Sequence, residues 1–303
     1  KIVTQDDLKT GKGYFDTTQK IITEIKERDT SFFRMEKDYF SGNSRIFSYN
    51  EAQIQGFYGS AGYWAFHNPN YIRFLKSIGA LYLEGETGSR FVKGIREIPP
   101  AMRLCGVKYF ISKQDTIEKY QSDFEWLKEQ NGHSLFQLKN HMPLGFTFNH
   151  YITEPDFDKL SLASKRQLLT KAVVVGASFA KQLSRLKRVS TGDSLRTAHT
   201  NFKLQSFKEN EIKGYIALSQ AEVLFFSIPL DEGWKVSVNG QNAEISPVFG
   251  GLMGILLNPG NHHIELRFTD PYQKTGFMLT LTTLVLLLLG LIGRYVLVKK
   301  KAT

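Results

Sequence analysis

Residues 276–293 read GFMLTLTTLVLLLLGLIG, eighteen residues without a charge, followed by Arg294, an apolar quartet at 295–298 and three lysines at 299–301. At about 1.5 Å per residue, a helix of this length crosses the roughly 30 Å hydrocarbon layer of a bilayer. A core helix of a soluble domain would carry a polar face, and here only Thr280, Thr282 and Thr283 interrupt the aliphatic run. A transmembrane helix is therefore expected over 275–298, with Arg294 close enough to its end to reach the headgroups. The basic residues after the span outweigh Arg267 and Lys274 before it, which favours a cytoplasmic tail at 299–303 and places residues 1–275 outside the cytoplasm. The chain opens KIVTQDD, with neither an initiator Met nor an apolar leader. The expectation is a C-terminal part of a longer polypeptide, exported by upstream hydrophobic segments.

Working back from the span, residues 203–270 break into short alternating runs: KGYIALS, AEVLFFSIP, WKVSVNG, QNAEISPV, GLMGILLN and HHIELRF. Turn signals such as Asn239-Gly240 and Asn258-Pro259-Gly260 divide them. Six strands in under seventy residues predict an antiparallel, jelly-roll-like β-sandwich over 203–272. Residues 31–158 mix strand-like FFRMEKD, RIFSY, VKYFISK, SLFQLK and FTFNHYI with helix-like NPNYIRFLKSIG and TIEKYQSDFEWLKEQ. They read as a mixed α/β domain. Residues 1–30 read as a loop and a helix leading from an upstream membrane part, with Ile21, Ile22 and Ile25 on one face. The fold class is α+β, and 303 residues suit about two domains.

Lysine and arginine number 39 against 29 acidic residues, a net charge of +10, and the excess is concentrated. Residues 159–208 hold eleven basic side chains against Asp193 alone. Within them Leu168, Ala172, Val175, Phe179, Leu183 and Leu186 recur at helical spacing, with Arg166, Lys181, Arg185 and Arg188 opposite. A basic amphipathic connecting segment over 159–202 is expected, suited to an anionic lipid surface or an anionic polymer. The alternatives are a solvated helix packed on its own domain, and a short strand at Val173, Val174 and Val175 between two helices. Nucleic acid is not an expected partner, for no recognition motif is present.

Catalytic signatures are missing. HExxH, Gly-x-Ser-x-Gly, a phosphate-binding loop and a cysteine pair are all absent, and Cys105 stands alone. His262 and His263 are neighbours that point to opposite faces of a strand, a poor chelate. Asp231 and Glu232 read as turn residues. No catalytic residue, metal or cofactor is expected from this stretch. The lack of an Asn-x-Ser/Thr sequon leaves a bacterial envelope as the better setting.

One polar and aromatic cluster stands out: Arg45 to Asn50 (RIFSYN), followed by GFYGSAGYWAFHNPNY. Tyr49, Tyr58, Tyr63, Trp64 and Tyr71 offer flat faces on which sugar rings stack, and Arg45, Asn50, His67 and Asn68 suit hydroxyls or a phosphate. The competing reading is an aromatic core beneath a long loop. The candidate binding residues are Arg45, Asn50, Tyr58, Tyr63, Trp64 and Asn68, together with Lys181, Arg185 and Arg188.

The stretch IKGYIALSQAEVLFFSIPLDEGWKVSVNGQNAEISPVFGGLMGILLNPGNHHIELRF, with the hydrophobic span after it, resembles the C-terminal region of the YfhO family of bacterial multi-pass membrane proteins. Ser227-Ile-Pro, Gly233-Trp234, Val238-Asn-Gly240, the glycines at 250, 251 and 254, and Pro259-Gly260 carry the likeness. LCGVKYFISK, PLGF, QLLTKAVVV and RIFSYN with SAGYW extend it to about residues 40–298. The resemblance implies a GT-C type glycosyltransferase that takes a sugar from a polyprenyl-phosphate carrier and places it on an envelope polymer such as lipoteichoic acid. In that class the catalytic acid lies in an early outward loop, so no catalytic role carries over to any position here. The partners implied are membrane lipid, the sugar carrier, an anionic polymer and upstream transmembrane helices of the same polypeptide. The alternative is a non-enzymatic, membrane-anchored carbohydrate-binding or scaffold module. A tail-anchored hydrolase ranks below both for want of paired carboxylates.

Overall fold

The computed structural model describes residues 13–42, 47–81, 85–113, 122–190, 195 and 200–301. The first helix, α1 (Thr17–Arg28), begins where the Asp16 carboxylate accepts from the Thr18 amide at 3.0 Å. It is followed by β1 (Arg34–Lys37), α2 (Glu51–Gln55), β2 (Gly62–Tyr63), α3 (Pro69–Ser77), α4 (Gly85–Arg90), β3 (Phe91–Val92), α5 (Pro99–Leu104) and β4 (Val107–Ser112). Then come β5 (Phe124–Gln130), β6 (His133–Leu138), β7 (Gly145–Phe148), β8 (His150–Thr153), α6 (Glu154–Asp158), α7 (Leu162–Leu168), β9 (Val173–Val175), α8 (Ala177–Ala180) and β10 (Lys187–Arg188). The rest is β11 (Lys203–Lys208), β12 (Glu211–Leu218), β13 (Glu222–Pro229), β14 (Trp234–Val238), β15 (Gln241–Ala243), β16 (Ser246–Val248), β17 (Leu252–Leu257), β18 (Gly260–Phe268) and α9 (Gln273–Lys301).

The near-continuous apolar runs of β13 and β17 are explained by burial on both faces. They lie in a seven-stranded sheet of order β10-β8-β9-β16-β17-β13-β7. Val223 and Phe225 belong to a core shared with α3, α5 and a four-stranded sheet (β1-β4-β6-β5), whereas Leu224 and Phe226 pack with a five-stranded sheet (β11-β12-β18-β14-β15). β17 alternates in the same way, Leu252 on one side and Met253, Ile255 and Leu257 on the other. A sheet covered on both sides needs apolar residues at successive positions. The five-stranded sheet is covered once, and β12 accordingly buries Ile212, Ile216 and Leu218 while exposing Tyr215. Phe146, Phe148, Phe225 and Phe249 pack ring to ring at 5.2–5.8 Å in the central core.

The fold is thus α+β, with facing β layers ahead of one long C-terminal helix. α1 does not stand off as a linker: Ile21, Ile22 and Ile25 pack with Phe33, Met35, Tyr109, Ile111 and Leu135 of the four-stranded sheet. The boundary expected at 202/203 runs through the seven-stranded sheet, because β7 takes the free edge of β13, pairing Val223 with Phe148. An unpaired edge on so apolar a strand would leave backbone groups unsatisfied in the core.

Three local expectations are corrected. The helix expected over 116–130 is, in its described part, strand β5, joined to β6 by Asn131-Gly132, both at positive φ (50° and 72°) as a type I′ hairpin turn demands. The strand expected from RIFSY falls partly outside the described residues, and Phe47–Asn50 form a 3-10 turn instead. Of the readings open for 166–188, the single amphipathic helix gives way to the short strand between two helices. Val173–Val175 pair in parallel with Tyr151–Thr153, and α7 and α8 flank them. β-Branched valines find more packing in the sheet than a helix surface offers. Ala172, Val175, Phe179, Leu183 and Leu186 are nonetheless all buried.

Over Gln273–Arg294, α9 is long and apolar enough to cross a membrane, and none of that window is buried against the rest of the chain. Phe277 to Leu291 carry exposed aliphatic surface that only an apolar surrounding would cover.

Candidate functional site

Helix α2 ends at Gly56, whose φ of 73° is the left-handed conformation glycine tolerates, and the chain enters the loop that carries the aromatic cluster. Beneath α2 the Glu51 carboxylate is buried against Lys37 and accepts from the amides of Ser41 and Gly42 at 3.1 and 2.8 Å. The loop is held at both ends by the predicted asparagines. Asn50 forms a reciprocal pair with the backbone of Tyr63, donating to its carbonyl at 3.0 Å and accepting from its amide at 2.8 Å. Asn68 caps α3 by accepting from the Asn70 amide at 2.8 Å, and donates to Leu230 O and Asp231 Oδ2 at 3.3 and 3.4 Å.

Between the loop and the ends of β1 and β13 lies an open cleft of about 810 Å³. Asn50, Tyr58, Tyr63, Trp64 and His67 line its outer wall, and Arg34, Tyr71, Cys105 and Ser227 its inner end. Tyr58 is half exposed beside Phe32 and Phe207, Tyr63 packs on Phe91 at 4.8 Å, and Trp64 is 60% exposed. Tyr71 is turned inward, donating its hydroxyl to the Ser60 carbonyl. Tyr49 packs between Phe40 and Phe91, away from the cleft lining. Arg45 lies outside the described residues. The aromatic loop is therefore both things its sequence allowed: Tyr49 and Tyr71 fill the interior, while Tyr58, Tyr63 and Trp64 border open space.

Two charged groups that sequence reasoning passed over stand near the inner end: half-buried Arg34, which lines it, and Glu36, buried behind Ser60 and outside the lining. Arg34 donates from Nη1 to the Ser227 hydroxyl and the Cys105 carbonyl, and from Nη2 to the Ser227 carbonyl. Burial pulls its pKa down, and the Glu36 carboxylate nearby offsets this in part. Glu36, two residues along the same face of β1, accepts from the Ser60 amide at 2.8 Å; burial pushes its pKa up to about 7. Ser60 Oγ in turn accepts from the Ile95 amide at 2.9 Å, and a side chain at Gly94 would overlap Ser60 and Ala61. Burial also pushes the Cys105 thiol up to about 12, which leaves it unreactive at neutral pH. The alternation Arg-Met-Glu-Lys in β1 was the available signal, for two opposite charges on the inward face of a strand need a reason.

The basic trio does not line this cleft. Lys181 is exposed, Arg185 donates to Asn258 Oδ1 at 3.1 Å, and Arg188 pairs with Asp156 at 2.6 Å. They mark a separate surface by the β10 edge of the seven-stranded sheet. Among the described residues, no group of three or more His, Cys, Asp or Glu is placed to hold a metal ion. His262 Nε2 lies 2.7 Å from the Asn258 carbonyl, and His263 lies beside Tyr215.

The family model described as "Bacterial membrane protein YfhO" matches residues 9–194 and 180–280, nearly the whole of the structured chain. The chain belongs to the YfhO family. The uncharacterized protein YfhO of Bacillus subtilis (strain 168) is 27% identical over 81 residues, which cover 27% of this chain and 9% of that protein. The chain thus aligns with only a small part of its curated YfhO relative. No solved structure matches. Family membership and the bare apolar surface of α9 together place this YfhO chain at a membrane.

Proposed function

We propose that this chain is the extracytoplasmic C-terminal part of a GT-C type sugar transferase, and that its aromatic cleft holds the acceptor. The full protein would move a sugar from a polyprenyl-phosphate carrier to an anionic envelope polymer such as lipoteichoic acid. The observation that carries the reading is the open cleft of about 810 Å³ bordered by Tyr58, Tyr63 and Trp64. Its size suits one or two sugar units, and flat rings on a wall fixed by Asn50 hold pyranose faces without induced movement. The basic surface of Lys181, Arg185 and Arg188 supports the polymer as partner, since concentrated positive charge raises the local concentration of a polyanion. A chain molecule is long enough to touch both places at once. With the tail cytoplasmic, both face the leaflet where carrier-linked sugars are used.

The test is transfer by the full-length protein in native membrane vesicles, read as sugar incorporated into the polymer. Tyr58→Ala and Tyr63→Ala are each expected to lower incorporation about tenfold, the equivalent of about 1.4 kcal/mol of lost stacking, with protein abundance unchanged. Incorporation unaffected by both substitutions overturns the acceptor role.

A further inference from the structure

The aromatic loop contains no Asp, Glu, Lys or Arg from residue 52 to residue 72, and its tip exposes Trp64 at 60% and Phe66 at 87%. Phe66 is absent from the cleft lining, so the proposed acceptor site leaves it unused. Large, bare aromatic side chains on a charge-free loop mark a contact surface.

The position of the tip is set by two independent chains of contacts. Asn68, two residues after Phe66, donates to Leu230 O and Asp231 Oδ2. The turn that follows reaches the root of the membrane helix: Gly233 O accepts from the Thr269 amide at 3.0 Å, and the Tyr272 amide donates to Asp270 Oδ1 at 2.8 Å. On the other side, Tyr58 packs on Phe207 at 5.7 Å, Glu209 lines the cleft, and Asn210 O accepts from the Phe268 amide at 2.9 Å. Phe268 and Gln273, where α9 begins, are five residues apart, at most about 18 Å of extended chain. Backbone bonding from Gln273 N to Asp270 O shortens that reach. The loop therefore sits at the end of the fold from which α9 departs.

We propose that Trp64 and Phe66 form an interfacial anchor, seated among the headgroups of the leaflet that α9 enters. Aromatic rings are favoured at that depth, the indole because it joins an apolar body to a polar N–H, and Tyr272, 70% exposed, stands next to the first residue of α9. With α9 already holding the domain to the membrane, seating the loop is a local step rather than a new association. The mouth of the cleft then opens at headgroup level, where a ligand borne on a lipid presents its polar end. The proposal depends on α9 crossing the membrane and not on sugar transfer.

The experiment reconstitutes the full-length protein in phosphatidylcholine and phosphatidylglycerol vesicles whose acyl chains are brominated near the headgroup. The Trp64 emission is read as the difference between the native protein and Trp64→Phe. Loss of that emission in brominated vesicles, with shielding from aqueous iodide, is the expected result. Quenching by iodide without quenching by bromolipid overturns the anchor, and so does protection from both, which would mean that protein covers the tip. A nitroxide on Phe66→Cys, at a site with no packing to disturb, gives the same reading by its preference for dissolved oxygen over a soluble nickel chelate. Both measurements are made without sugar or polymer, so a failure of the transferase reading leaves their outcome unchanged.

Discussion

The guanidinium of Arg34 donates to the Ser227 hydroxyl and to the Ser227 carbonyl, both at 2.8 Å, joining residues 193 positions apart. It locks β1 of the four-stranded sheet to the end of β13 in the central sheet, and it forms the inner end of the cleft. Arg34→Met strands the Ser227 groups and the Cys105 carbonyl in the interior and is expected to cost about 3 kcal/mol, seen as a lower unfolding midpoint in detergent. Arg34→Lys should recover little of this, since an ammonium cannot reproduce the forked geometry. A lysine variant as stable as the native protein would show that the fork does not matter.

Glu36 makes stability depend on pH. Its folded pKa of about 7 lies above the ordinary 4.5, so the folded state holds its proton more tightly than the unfolded chain. Its contribution is fully present below about 4.5 and is lost as pH rises through about 7, a swing of about 3 kcal/mol. Glu36→Gln keeps an acceptor for the Ser60 amide and should flatten stability between pH 5 and pH 8 relative to the native protein. A native profile parallel to that of the variant would contradict the assignment.

On the basic surface, Arg188→Gln removes an exposed pair with Asp156 and should leave the unfolding midpoint almost unmoved, for solvent screens such pairs. Combined with Lys181→Gln and Arg185→Gln, it is expected to weaken binding of lipoteichoic acid and to reduce the fall of affinity with added salt. Equal salt slopes for the native and triple-variant proteins would remove these three residues from polymer capture.

For α9, Leu286→Arg places a charge near the centre of the apolar window. It is expected to raise the free energy of insertion by about 3 kcal/mol and to increase the fraction of protein extracted from membranes by alkaline carbonate. Unchanged extraction would mean that this helix does not meet lipid.

The hairpin at Asn131-Gly132 shows how local the misreading of residues 122–130 was. Spacing in FEWLKEQ fits a helix and a strand about equally, and the dipeptide after it decides, because both residues must take positive φ. The valines at 173–175 are a different case. Their periodicity extends a helix on paper while their β-branching reads as a short strand, and the strand wins because Tyr151–Thr153 on one side and Val248 on the other pair with them. Both readings and their burial were legible; the partners were not.

The sequence by itself determined the long apolar C-terminal helix, the α1 face and the strand-rich C-terminal region, and it singled out the aromatic loop without dividing its residues between core and cleft. These follow from periodicity, charge and length, which act along the chain. The tertiary structure alone decided that β7 to β10 complete the central sheet, that Tyr49 and Tyr71 turn inward while Tyr58, Tyr63 and Trp64 do not, that Arg34 closes the inner end of the cleft and that Glu36 is buried. Strand pairing and the burial of a charge depend on groups from 24 to 193 residues apart meeting in a low-dielectric interior, and no local pattern encodes such a meeting.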